Sequence, residues 1–196
     1  MRFVFPIFAM VLLAGCVTKE AQPITQRDSD AINFPTAEVT ARVDSLLPKA
    51  LAENRAMEAR ALRVGTPLTA EGIDLARKLG VKSPEKVRVV VVKKIPKSNT
   101  ADRLIKAQPL LSLSATIAGL TAGYGIYLDD GYEDKIWVLA HELVHVAQFE
   151  RYGLESLTRR VITEQVALPG RLIPIEREAI QTSSRVLGIT PPAYAF

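Results

Sequence analysis

The run 135–153, "KIWVLAHELVHVAQFERYG", holds both histidines of the chain, four residues apart. On an α-helix, positions i and i+4 lie on one face a turn apart, so His141 and His145 can aim two imidazoles at one point. Glu142 lies about 100° round the helix from His141, close enough to reach a water at that point without being a ligand. Converging imidazoles with a carboxylate beside them suit a divalent metal, zinc first, with Glu142 as general base. The bland alternative is two histidines that share a face of an ordinary helix.

A catalytic zinc takes three protein ligands and keeps one position for water. The chain has no third histidine and its single cysteine is at position 16, so the third ligand has to be an Asp or Glu. The stretch "PIEREAIQTSSRVLG" offers Glu176 and Glu178. They lie about 200° apart on a helix, so only one can face the site. Glu176 shares a stripe with Ala179, Ile180, Ser183 and Leu187, the apolar side, whereas Glu178 shares one with Gln181, Thr182 and Arg185. A carboxylate on a buried stripe needs a partner, which favours Glu176 and leaves Glu164 in reserve. Gln148, one turn past His145, could bond a ligand, line a cleft or simply be exposed. Trp137 reads as core. For a second oxyanion donor, Tyr127, Tyr152 and Arg171 are all open.

The elements that must position these groups are legible in outline. The motif helix should run from about 133 to 152 and stop at Gly153, capped by Asp130 or Asp134 of "DDGYED". A second helix covers about 154–167, and a third starts near Pro174 and ends at Gly188. Upstream, "KVRVVVVKKIP" is the clearest strand; the run Val89–Val92 suits a strand covered on both faces. The uncharged stretch from Leu110 to Leu128 predicts a short segment over 110–117 and a strand at Tyr124–Leu128, with a transmembrane helix as the alternative.

From Thr36, Val39, Val43, Leu46 and Leu47 recur at helical spacing, followed by Leu51, Met57, Ala61 and Leu62. Pro48 predicts two helices or one bent one. "PLTAEGIDLARKLG" reads as a further helix with Thr69 as N-cap and Gly80 as its stop. These upstream helices could be scaffold, or a cover that keeps a cleft latent.

The N-terminus, "MRFVFPIFAMVLLAGC", has one Arg, an apolar run and small residues before Cys16, the pattern of a cleaved export signal. Leu-Ala-Gly-Cys resembles the bacterial lipoprotein box, which implies lipidation at Cys16; Val17 after it points to the outer membrane. A single cysteine can form no internal disulfide. Residues 17–35 are polar with two prolines and read as a coil tether of roughly 25 Å. The chain's 196 residues are 48% hydrophobic and 23% charged, with mean hydropathy +0.13, a globular composition. The net charge of +4 is well mixed, and no Lys/Arg run argues for nucleic acid. Oligomeric state leaves no trace in the sequence.

HELVH with a downstream Glu-x-x-Ala on a helix resembles the gluzincin branch of HExxH zinc metallopeptidases. More closely, "GYGIYL", "HELVHVAQFERYG" and "PIEREA" are similar to small bacterial HELVHxxQ proteins of poorly defined function, over roughly residues 65–182. The resemblance implies His141, His145 and Glu176 as zinc ligands and Glu142 as general base. It also implies that the strand at Tyr124–Leu128 is an edge strand pairing with an extended peptide substrate. One departure stands out: many gluzincins carry an acidic residue four after the ligand Glu, where this chain has Ile180.

The expectation is an α+β, minimal zincin-like domain, mostly helical, with a small mixed sheet whose edge strand precedes the active-site helix. The signal would cover 1–15, the lipidated tether 16–35, the first helices 36–80 and the zincin-like core 81–196, the last two packed as one domain. The function expected is a zinc-dependent peptidase acting on peptide or protein, lipid-anchored at the bacterial envelope. The alternatives are a zinc-binding lipoprotein scaffold, and a zinc amidase or endopeptidase on peptidoglycan stem peptides. No Ser or Cys nucleophile arrangement and no Gly-rich phosphate loop is present.

Overall fold

The computed structural model describes residues 23–96, 118–169 and 172–190. Cys16, the signal segment, residues 110–117 and Arg171 lie outside them. Six α-helices, one short 3-10 turn (Pro84–Lys86) and four strands are described. The helices are α1 (Gln26–Asn33), α2 (Ala37–Val64), α3 (Ala70–Lys78), α4 (Ile136–Tyr152), α5 (Leu154–Ala167) and α6 (Pro174–Leu187). The strands are β1 (Thr66–Pro67), β2 (Arg88–Val92), β3 (Gly119–Ala122) and β4 (Gly125–Asp129). The protein is mostly helical with a small mixed sheet, an α+β arrangement.

The sheet runs in the order β1-β2-β4-β3. β2 and β4 are parallel, with Val89 opposite Ile126, and the two outer pairings are antiparallel. The strand expected at Tyr124–Leu128 is therefore β4, and it is interior; the edge is β3. β3 and β4 form a hairpin around Gly123 and Tyr124, in which Gly123 alone takes a positive φ of 58°. A two-residue turn with glycine first supplies the twist the strands need. The carboxylate of Glu58 on α2 accepts the Tyr124 N–H at 3.0 Å, so a helix from another layer holds the turn.

Alternation along β4 divides the core. Ile126 and Leu128 face α4 and pack with Val138, Leu143 and Val144. Tyr127 faces the other way, against Ala61 of α2, and donates its hydroxyl to the Met57 carbonyl at 2.8 Å. β2 is less covered than its valine run suggests, because on the side away from β4 only the two-residue β1 flanks it; Val91 is 50% exposed.

α2 is one continuous helix through Pro48, not two. An interior proline costs about 3 kcal/mol. Val43, Leu46, Leu47, Ala50 and Leu51, on both sides of it, bury against Ile162 of α5. At ~1.5–3 kcal/mol for each large side chain, that burial outweighs the break. α2 lies on the Tyr127 face of the sheet and on α5, opposite the sheet face that meets α4.

Part of the expected coil tether is helical. Thr25 and Asp28 form a capping box, Asp28 N–H to Thr25 Oγ1 at 3.2 Å and Thr25 N–H to Asp28 Oδ2 at 2.7 Å, which starts α1 against α5. α3 begins at Thr69 as expected, its hydroxyl accepting the Gly72 N–H. α4 starts after Lys135 without a side-chain cap, because the expected caps lie in tight turns: Tyr132 N–H bonds the Asp129 carbonyl and Lys135 N–H bonds that of Tyr132. Among the described residues, no helix is long and apolar enough to cross a membrane, and 118–128 forms the hairpin.

Candidate metal centre

His141 and His145 project from one face of α4, ring centroids 4.7 Å apart and planes at 80°. Their Nε2 atoms are 3.1 Å apart. Oε2 of Glu176, in the first turn of α6, lies 3.2 Å from His141 Nε2 and 3.4 Å from His145 Nε2. Of the three carboxylates weighed for the third place, the fold brings in Glu176. A tetrahedral ion with bonds of about 2.0–2.1 Å has ligand atoms about 3.3 Å apart, so the residues present fit a metal. These three residues could hold a metal ion. Glu176 remains 40% exposed on its side chain, which leaves an open side for a water or substrate.

The electrostatics favour a cation. Burial works against charge on His145, but the carboxylate of Glu176, its hydrogen bond, the charge of Glu142 and Gln148 outweigh it and push the imidazole up to about 9. Burial likewise opposes ionisation of Glu176, yet the positive charge of His145 and hydrogen bonds from both rings hold it well below the ordinary range.

The other two carboxylates have different tasks. Glu164 is fully buried; it accepts Arg160 Nε–H at 2.8 Å and the Ile175 N–H at 2.9 Å. It thus caps α6 from a neighbouring helix, at the residue before Glu176, where no local side chain caps it. Glu178 is not merely solvated: it takes two 2.7 Å hydrogen bonds from Arg151 Nη2 and one of 3.1 Å from Gln148 Nε2. Gln148 is 1% exposed, and its Oε1 meets His145 Nδ1 at 2.8 Å.

Glu142 is buried at 5% exposure and stands outside the three-residue group that could hold an ion. Its Oε2 lies 2.7 Å from the Thr121 hydroxyl on β3. Its side chain occupies the space over Gly119, where an added Cβ would come within 2.6 Å of Oε1. Gly119 and Thr121 were missed in the sequence; the signal was a glycine two residues before a threonine in a stretch just upstream of HELVH, both on the face that meets α4.

The expected oxyanion donors fare less well. Tyr127 is turned to the opposite face of the sheet and bonded there. Tyr152 ends α4, its ring under the guanidiniums of Arg151 and Arg160 at 4.6 and 5.3 Å. Trp137 packs on the main core and against Tyr132, as expected. No protein-family model, curated protein or solved structure matches this chain.

Proposed function

We propose that this chain is a zinc-dependent peptidase, anchored at the bacterial envelope through Cys16. The observation that carries the reading is the His141–His145–Glu176 triangle with a buried, non-ligating carboxylate, Glu142, beside it. Two imidazoles and one carboxylate match zinc among the common divalent ions. When bound, zinc would supply Lewis acidity, making a water acidic near neutral pH and polarising a carbonyl.

Glu142 then takes a proton from the water as its oxygen bonds to the scissile carbonyl carbon. The C–N bond breaks and Glu142 passes the proton to the departing nitrogen; the second water proton stays on the new carboxyl group until it too moves to the amine, so the products are a carboxylate and an ammonium. Thr121 holds the Glu142 carboxylate at β3. The outer edge of β3 pairs with no described strand, so it can take an extended peptide by backbone hydrogen bonds. This edge role replaces the one expected of Tyr124–Leu128.

The alternative reading is a zinc-binding envelope scaffold without turnover. Elemental analysis of the purified protein, with hydrolysis assays on peptides and on peptidoglycan stem peptides, separates the readings. About one zinc per chain, with cleavage lost in Glu142→Gln, supports the peptidase. Zinc without cleavage of either substrate class supports the scaffold, and no zinc after metal addition overturns both.

A further inference from the structure

One buried side chain bonds both to a ligand on one helix and to the helix that supplies the other. Gln148 Nε2 donates to the Ile175 carbonyl at 3.0 Å and to Glu178 Oε2 at 3.1 Å. Both amide hydrogens are therefore engaged with acceptors. A flipped amide would set its oxygen against a carbonyl oxygen and a carboxylate, so the orientation is determined. Oε1 must then face His145 Nδ1, which has to carry a hydrogen to meet it at 2.8 Å. With Nδ1 protonated, a neutral imidazole keeps its lone pair on Nε2, the atom that faces His141 and Glu176.

The same amide restrains the other ligand. Ile175 immediately precedes Glu176. Its carbonyl is held by Gln148 from α4, and its N–H by Glu164 from α5. Behind Gln148 stands Glu178, fixed by Arg151. The hydrogen bonds all point the same way, from His145 to Gln148 and from Gln148 to Glu178, so the anion enhances the basicity of the ring through the amide. The position four after Glu176 carries Ile180, buried and apolar, and supplies no such group.

Building on the metal-site reading, we propose that Gln148 is a positioning residue that selects the His145 tautomer and docks the Glu176 peptide in one act, with Glu178 as its anionic anchor. Gln148, Glu178 and Arg151 thereby contribute to metal affinity without touching the metal.

The test measures zinc affinity of the full chain by chelator competition, in the parent, Gln148→Glu, and Gln148→Glu with Glu178→Gln, with helical circular dichroism as a control. A carboxylate at 148 faces the Ile175 carbonyl and Glu178, so the single variant should lose about 10–100-fold in affinity. In the double variant the amide at 178 can donate to the new carboxylate, and affinity should recover most of that loss. Nitrogen NMR of the zinc-loaded parent should find His145 protonated at Nδ1, a measurement that stands even if the single variant fails to fold. Parent-like zinc binding in the single variant, no recovery in a folded double variant, or a zinc bond at Nδ1 would overturn the proposal. A parent that binds no zinc overturns the metal reading instead, which keeps the two failures distinct.

Discussion

Glu142 and Gly119 share one space: the carboxylate of the first fills the volume that a side chain on the second would need, with a built Cβ only 2.6 Å from Oε1 and 2.8 Å from Cγ. The general base of the proposed mechanism is thus laid against the backbone of the edge strand, where a paired peptide would run. Position 119 has to be glycine for the base to lie there.

Gly119→Ala should therefore displace Glu142 and leave the ligands in place. Misplacing a catalytic group by about 1 Å can cost roughly 100-fold in rate. The expected result is parent-like zinc content with kcat/KM reduced by about that factor. An alanine variant that cleaves at the parent rate would show that Glu142 need not lie on β3.

Glu142→Gln keeps the volume and the Thr121 contact but cannot accept the water's proton. Turnover should fall by about 10²–10⁴-fold with zinc content and thermal stability unchanged. Rates and metal analysis on one preparation check this.

Removal of a ligand should behave differently. His141→Ala or Glu176→Ala takes away a corner of the 3.1–3.4 Å triangle, and zinc should drop to a small fraction of the parent in both. Retention of zinc in Glu176→Ala would move the third ligand elsewhere.

The pH dependence has a sign that changes with metal. His145 in the metal-free fold sits at about 9, above its ordinary 6.5. Its contribution to stability is full below about 6.5 and is lost as pH rises through about 9. Glu176 is depressed, so its contribution is present above its ordinary 4.5 and lost as pH falls through the lower folded value. Zinc needs His145 neutral, so the extra stability from zinc should grow over the interval in which the metal-free protein weakens. Melting curves with zinc and with chelator, from pH 6 to 9, should diverge; parallel curves would argue that no metal competes with that proton.

Glu164→Ala should destabilise the fold by about 1–3 kcal/mol, since it strips the Ile175 N–H of its acceptor and Arg160 of its pair. Urea unfolding measures it, and a drop in zinc affinity should accompany it because the start of α6 is loosened.

The parts of the site legible in the sequence are those governed by helical period. His141 and His145 share a face whatever the surroundings, and Glu176 was separable from Glu178 by its apolar stripe. Period-two logic was weaker: it alternates Ile126, Tyr127 and Leu128 but does not say which face meets α4, so Tyr127 stood among the oxyanion candidates although it lies on the opposite face. β3 was missed because "GLTA" is only four residues long and offers one large apolar side chain, Leu120, to mark its alternation. α1 carried its start signal in Thr25-x-x-Asp28, overruled by the polar composition around it. The bonds from Gln148 to Ile175 and Glu178 join residues 27 and 30 positions apart, and no local pattern announces them.

Glu58 has a consequence for where this chain can be cut. Its carboxylate holds the turn of the β3–β4 hairpin, so the height of the edge strand over the motif helix is set by a residue more than sixty positions upstream. A fragment begun at the first strand would keep every ligand and the base, yet its hairpin would lose the brace that aligns it. The shortest portable version of this protein therefore starts before α2, and grafting HELVH with its downstream glutamate onto another scaffold would transplant the ligands without their ruler.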